Sequence, residues 1–230
     1  MPTQRMNSAR QNSRRRRDAG RRSRRIDPAV VERDGRARIL SAAIKAFSEL
    51  GYAGTTTADI ARAAGVTQPL VHHHFGSKDG LWRAAMDLAF SSVPRIVSAP
   101  DRSDTRATIL DIVERFVRFV AAHPEVTRII AREGAAPSQR LDYILKRYLH
   151  EPMREVVDLL RAAQGAGIVA AEIRPELALF LVLGAGSHLF DVSALAERSQ
   201  GIDTSAAWTC EAFVMVMRTL LEYGLFRRTP

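Results

Sequence analysis

Apolar residues recur at helical spacing through most of the chain after residue 33, and their pattern divides it into elements. Between Arg33 and Leu50 they fall at 39/40, 43/44, 47 and 50, the stripe of an amphipathic helix, with Gly51 where a stop is expected. Short helices are expected over 57–64 and 68–74, and a fourth after Ser77, a good N-cap, running through Leu81, Ala85, Leu88 and Ala89. Thr105–Ala122 repeats apolar positions at 109, 112/113, 116 and 119/120 and must stop near His123-Pro124. Pro124 suits the first turn of a short helix that ends at Gly134. Ser138–Gln164 is helical in pattern, but Pro152 removes a backbone donor and should kink it before Gly165 and Gly167 end it. Pro175–Ala196 and Ala206–Phe226 are the last two helices. No stretch alternates with period two for long enough to be a strand, and no internal repeat is visible. The fold class is all-α.

Residues 1–27 stand apart. They carry no aromatic residue and no apolar period, so nothing offsets their ordering entropy and a disordered arm is expected, bounded by Asp27-Pro28. Charge sharpens the division. Of the 34 basic residues 31 are arginine, and the formal net charge is +9. Residues 1–25 hold ten Arg and one acid, so the remaining chain, with 24 bases and 24 acids, is balanced. A histone-like protein, basic throughout, is thereby excluded. The domains are read as a 1–27 Arg-rich arm, a 28–80 DNA-binding domain of the kind argued next, and an 81–230 helical domain.

The single cysteine, Cys210, excludes an intramolecular disulfide framework and a Cys-based zinc site. The longest uncharged apolar stretch, Leu177–Phe190, is 14 residues, short of the roughly 20 that cross a bilayer. Arg24-Arg25 is followed by charged sequence rather than by the apolar region of an export signal. A soluble cytoplasmic protein with no membrane partner is expected.

Residues 52–82, YAGTTTADIARAAGVTQPLVHHHFGSKDGLW, carry the chemistry. Thr56 and Asp59 have capping-box spacing. The short helix they open turns Ile60, Ala61 and Ala64 inward, and its two alanines let a second helix cross closely. Gly65 gives the tight turn, Val66 plugs the core, Thr67 can cap the next helix, and Pro69 is tolerated in its first turn. Helix, tight turn and helix at this spacing suit a DNA reader. Successive helical residues point about 100° apart, so His72-His73-His74 cannot converge on one ion, and no metal site or cofactor is expected.

Over residues 33–90 the sequence resembles the TetR (tetracycline-repressor-like) family of bacterial transcription regulators. The resemblance rests on Gly51-Tyr52, Thr55 to Thr57, Asp59-Ile60-Ala61, Ala64-Gly65-Val66-Thr67 and His74-Phe75-Gly76-Ser77-Lys78. One departure is His72, where family members commonly carry Tyr. The resemblance implies DNA roles for Thr57, Gln68, Pro69, His72, His73, His74 and Lys78. Physical chemistry agrees for several of them. A carboxamide at Gln68 can bond bidentately to adenine in the major groove. Thr57 and Lys78, at helix N-termini, suit phosphate contacts. Thr55 and Thr56 are read as caps, and His74 as a phosphate bridge or helix-end cap.

The resemblance further implies a second domain that holds a small-molecule pocket and forms a homodimer. Candidate pocket residues are Phe116, Phe119, His123, Tyr143, Tyr148, Phe180, His188 and Trp208, an apolar and aromatic set with few polar groups, which points to a largely apolar effector. The candidate dimer seam comprises Leu177, Leu181 and Gly184 of one helix and Phe213, Val214, Met217 and Leu221 of the other. The leading reading is a ligand-responsive regulator that binds double-stranded DNA, a repressor acting on a palindromic operator, and not an enzyme. No nucleophile motif, paired catalytic carboxylates or metal spacing argues for catalysis. The alternatives are an all-α carrier or enzyme, or a nucleoid-type binder acting through the arm.

Overall fold

The computed structural model describes residues 28–98 and 103–226, with side chains from residue 34. The Arg-rich arm lies outside the described residues. Among the described residues twelve helices follow one another: α1 Pro28–Gly54, α2 Thr57–Ala64, α3 Gln68–Phe75, α4 Lys78–Ala89, α5 Val93–Val97, α6 Thr105–Ala122, α7 Pro124–Glu133, α8 Gln139–Ile144, α9 His150–Gly165, α10 Pro175–Asp191, α11 Ser193–Gln200 and α12 Ala207–Gly224. A π-helical turn, Leu145–Leu149, joins α8 to α9. Among the described residues the sole extended pairing is one antiparallel bridge between Val169 and Phe226.

Two apolar clusters hold these helices. The first gathers Ile39, Ala43 and Phe47 of α1, Ile60 and Ala64 of α2, Val71 of α3, and Trp82 and Met86 of α4. It continues through Val126 and Ile129 of α7 to Ile144 and Tyr148. The second centres on α6, against which α10 and α12 both pack, with Leu160 and Ala163 of α9 closing it. Gly186 permits the α6–α10 approach, since a Cβ there would stand 2.8 Å from the Phe116 ring.

The break points differ from those expected, for local reasons. Gly51, the expected stop of the first helix, is a break inside α1 with φ 72°, and the chain resumes helical form to Gly54. The expected kink at Pro152 is taken up earlier in the chain. Pro152 cannot donate to the carbonyl four residues back, and the helix widens over Leu145–Leu149, where the His150 N–H reaches the Leu145 carbonyl. The helix expected over 175–196 ends at Asp191, and α11 leaves it at 67°. Phe190 is buried beside Phe213 in the second cluster, and after the break Ala196 turns inward. No single helix among the described residues is long and apolar enough to cross a membrane.

Candidate nucleic-acid interface and apolar cavity

The segment Thr55–Lys78 is fixed by short-range bonds. Buried Thr55 donates its hydroxyl to Gly51 O at 2.7 Å, tying the end of α1 rather than capping α2. Thr56 does cap α2: its Oγ1 accepts from Asp59 N–H at 3.1 Å. The reciprocal half of a capping box is replaced. The Asp59 side chain, one methylene shorter than Glu, accepts the Thr56 hydroxyl at 2.6 Å and pairs with Arg62. Gly65, at φ 65°, closes α2 in the left-handed region that a residue with a Cβ rarely adopts. Thr67 occupies the cap position of α3 without a side-chain cap bond, contrary to expectation, and Pro69 takes the first turn. Ser77 caps α4, accepting from Gly80 N–H at 3.0 Å.

This frame buries Val71 and leaves Gln68, Pro69, His72 and His73 exposed along α3. Gln68 Nε2 donates to Thr57 Oγ1 at 3.3 Å, so the N-terminal ends of α2 and α3 meet and half-buried Thr57 stands beside the carboxamide. His72 Nδ1 lies 3.3 Å from Gly76 O, at the C-terminal end of α3. His74 departs from the role expected of it. Its ring tilts onto Phe75, and its Nε2 is buried with no hydrogen-bond partner, so that nitrogen does not face the outward row. Lys78 is half-buried, its Nζ 4.3 Å from the centre of the Tyr52 ring, which also receives Arg140 of α8 at 4.4 Å. Among the described residues no three His, Cys, Asp or Glu side chains group to hold a metal ion.

Spacing did not reveal Gly80. A Cβ there would sit 2.2 Å from Phe75 O, so the glycine lets the end of α3 lie against the first turn of α4.

Beyond this domain lies a cavity of about 380 Å³. Its walls come from α5, α6, α7, α8, α9, α10, α12 and the π-helical turn. They include Phe116, Phe119 and Phe180 of the expected set, and Thr127 brings the only side-chain hydroxyl. That hydroxyl is engaged, donating to Asp191 Oδ1 at 2.6 Å.

The other expected pocket residues lie elsewhere. His123 is exposed at the end of α6, 3.4 Å from Glu125. His188 and Trp208 face outward. Tyr143 and Tyr148 direct their hydroxyls to Asp87 of α4, where Arg147 also bonds. The Asp87 carboxyl is pushed up by partial burial, yet the bonds from Tyr148, Arg147 and Tyr143 outweigh this and hold it below the usual carboxylate range. Burial and the bond to Asp87 together raise the Tyr148 phenol.

The outward faces of α10 and α12 correct the expected seam in part. Leu177, Leu181 and Gly184 are exposed, as is Phe180. Val214, Met217 and Leu221, however, are buried inside the chain, and Phe213 packs on Phe190. The stripe that α12 presents outward is Trp208, Met215, Val216, Leu220 and Tyr223. Both stripes of α12 are apolar, and α6 covers one of them.

Residues 39–85 match the model of the bacterial regulatory proteins, tetR family. An HTH-type transcriptional regulator BetI of Burkholderia ambifaria (strain MC40-6) is 37% identical over 83 residues, which are 34% of this chain and 42% of that protein. The chain thus spans under half the length of the curated relatives it matches. Among solved structures, the ketosteroid transcriptional regulator KstR2 of Mycobacterium tuberculosis is similar in fold, with a TM-score of 0.65 at 20% identity, covering 84% of this chain and 95% of that one. AibR, solved in complex with isovaleryl coenzyme A and operator DNA, is similar with a TM-score of 0.64 at 17% identity, covering 81% and 97%.

Proposed function

We propose that this chain, which residues 39–85 make a member of the tetR family of bacterial regulatory proteins, is a ligand-responsive repressor that binds a palindromic operator as a homodimer. The observation that carries the reading is the outward row of α3, Gln68, Pro69, His72 and His73, exposed side by side on a helix that Val71 anchors in the core. α3 enters the major groove, and the N-terminal ends of α2 and α3, joined through Thr57 and Gln68, face the phosphates. Lys78 adds a phosphate contact. The reading assigns no reaction to the chain and places it in the cytoplasm, where its operator is.

The dimer forms through the exposed apolar stripes of α10 and α12, which a second copy covers by two-fold symmetry. Two helices per subunit then make a four-helix seam.

Release follows from shared walls. α7 lines the cavity with Val126, Thr127 and Ile130, and its Arg132 donates to Ser48 O at 2.9 Å and Glu49 O at 2.6 Å near the end of α1. The π-helical turn lines the cavity with Leu145 and Leu149, and its Arg147 and Tyr148 hold Asp87 of α4. A ligand that fills the cavity therefore displaces the elements that position α1 and α4. It lowers operator affinity by its preference for the displaced state, and operator lowers ligand affinity by the same factor.

The test is duplex binding by the full chain across a salt series. Gln68→Ala is expected to change base preference at one position per half-site, by about 1–3 kcal/mol. Lys78→Ala is expected to weaken all sequences alike. Base preference and affinity unchanged in both variants would overturn the assignment of α3.

A further inference from the structure

Beside the cavity lies a second, open cleft of about 480 Å³, and the two share Leu145, Met153, Leu179 and Phe180 as common wall. They differ in charge. The cavity has no charged side chain in its walls, and its one hydroxyl, on Thr127, is already bonded to Asp191. To the shared apolar wall the cleft adds Val157, His150 and four charged side chains, and the four charges are paired. Arg154 bonds Glu151 at 2.6 Å, and Arg161 bonds Glu176 at 2.5 Å and Asp158 at 3.0 Å.

From this juxtaposition, and resting on the reading that the cavity receives the effector, we infer that the effector is an uncharged amphiphile: a hydrocarbon body fills the cavity and a neutral hydrogen-bonding head lies in the cleft. A charge carried into the cavity would lose its hydration and find no partner. A charge left in the cleft meets a like charge beside every opposite one, because each guanidinium there already has its carboxylate. A hydroxyl, ester or amide has no such conflict, since it accepts from Arg154 or Arg161 and donates to Glu151 or Glu176. Phe180 and Met153, common to both walls, mark where head and body join.

Calorimetric titration of the full-length protein at pH 7.5 with 1-decanol, decanoate and decyltrimethylammonium tests this, because the three probes share a chain and differ in head charge. The alcohol is expected to bind at least about tenfold more tightly than either ion. Val156→Phe, which adds bulk to the cavity wall, is expected to weaken it. Arg161→Ala leaves Asp158 and Glu176 without their guanidinium while Glu151 keeps Arg154, so the preference is expected to move toward the ammonium probe. Tightest binding by decanoate or by the ammonium, or no binding of any probe, overturns the inference. So does an Arg161→Ala variant with unchanged order. Operator affinity measured on the same samples separates the two claims. Decanol binding that leaves operator affinity untouched refutes release through the cavity while the ligand class stands. Operator binding with no response to any probe does the reverse.

Discussion

Gln68 and His72 face solvent from the same short helix but offer different chemistry to a base pair. The Gln68 carboxamide both donates and accepts, and in this structure its donor rests on Thr57 Oγ1. Gly76 O can only accept, so Nδ1 of His72 carries the proton of that contact, and in the neutral ring Nε2 is then an acceptor. A phenol at this position could also donate; this imidazole tautomer accepts, so His72 should favour a base presenting an amino group. His72→Tyr is expected to change the preferred base at that position, measured by binding to single-base operator variants, without loss of thermal stability. Gly80 is a constraint of another kind. Gly80→Ala places a methyl group against Phe75 O. It should cost about 1–3 kcal/mol, as overpacking does, lowering the melting temperature and duplex affinity together. At Asp87 the folded carboxyl is held below its unfolded value, so its bonds to Tyr148, Arg147 and Tyr143 are fully effective above that value. Their contribution fades as pH falls through the depressed range. Because Asp87 is half exposed and solvent screens these bonds, Asp87→Asn should cost no more than about 1 kcal/mol near neutrality, with the deficit shrinking below about pH 4 in denaturant titrations.

Among the elements, legibility in the sequence followed how strongly local chemistry competes with packing. The helices over residues 57–89 and their order were readable because the Thr56 and Ser77 caps, Gly65 and the inward positions Ile60, Ala61 and Ala64 all agree. The turn over Leu145–Leu149 was not, since the sequence marks Pro152 while the backbone adjusts several residues earlier. The break at Val192 falls in a segment with no proline or glycine to announce it, and only the packing of Phe190 and Ala196 separates α10 from α11. α12 is the clearest case. It carries two apolar stripes, and periodicity alone does not say which of them the chain itself covers. Met217 is 4% exposed, whereas Leu220 is 63% and Leu181 of α10 is 72% exposed. Leu181→Glu with Leu220→Glu should therefore yield a folded monomer by sedimentation, since neither side chain supports the subunit core. Met217→Ala should instead cost about 2–5 kcal/mol of stability with the dimer retained. A double variant that sediments as a dimer would move the seam elsewhere. The cavity was legible only as a class of lining. Phe116, Phe119 and Phe180 reach it, while the polar aromatics Tyr143 and Tyr148 are drawn away by Asp87, a partner distant in sequence.

At the scale of the whole molecule, the proposed binding divides between charge and shape. The chain after residue 25 is balanced, so the formal excess of +9 resides in its first 25 residues. On the proposed reading, base recognition falls to α3 and a large share of the salt-dependent attraction to those arginines. Each phosphate they neutralise adds about 0.9 to the salt slope of log affinity. Removing residues 1–25 should flatten that slope and weaken binding most at low salt, with base preference intact. The central claim is that two copies of α3, set by one seam, read one two-fold site. Selection of bound sequences from a randomised duplex library by the full-length protein tests it most directly. The expected product is an enriched site with two inverted half-sites about one helical turn apart or a multiple of it, whose preferred base at one position per half-site changes in Gln68→Ala. A library that emerges without two-fold symmetry, or the same site selected by Gln68→Ala, would contradict it.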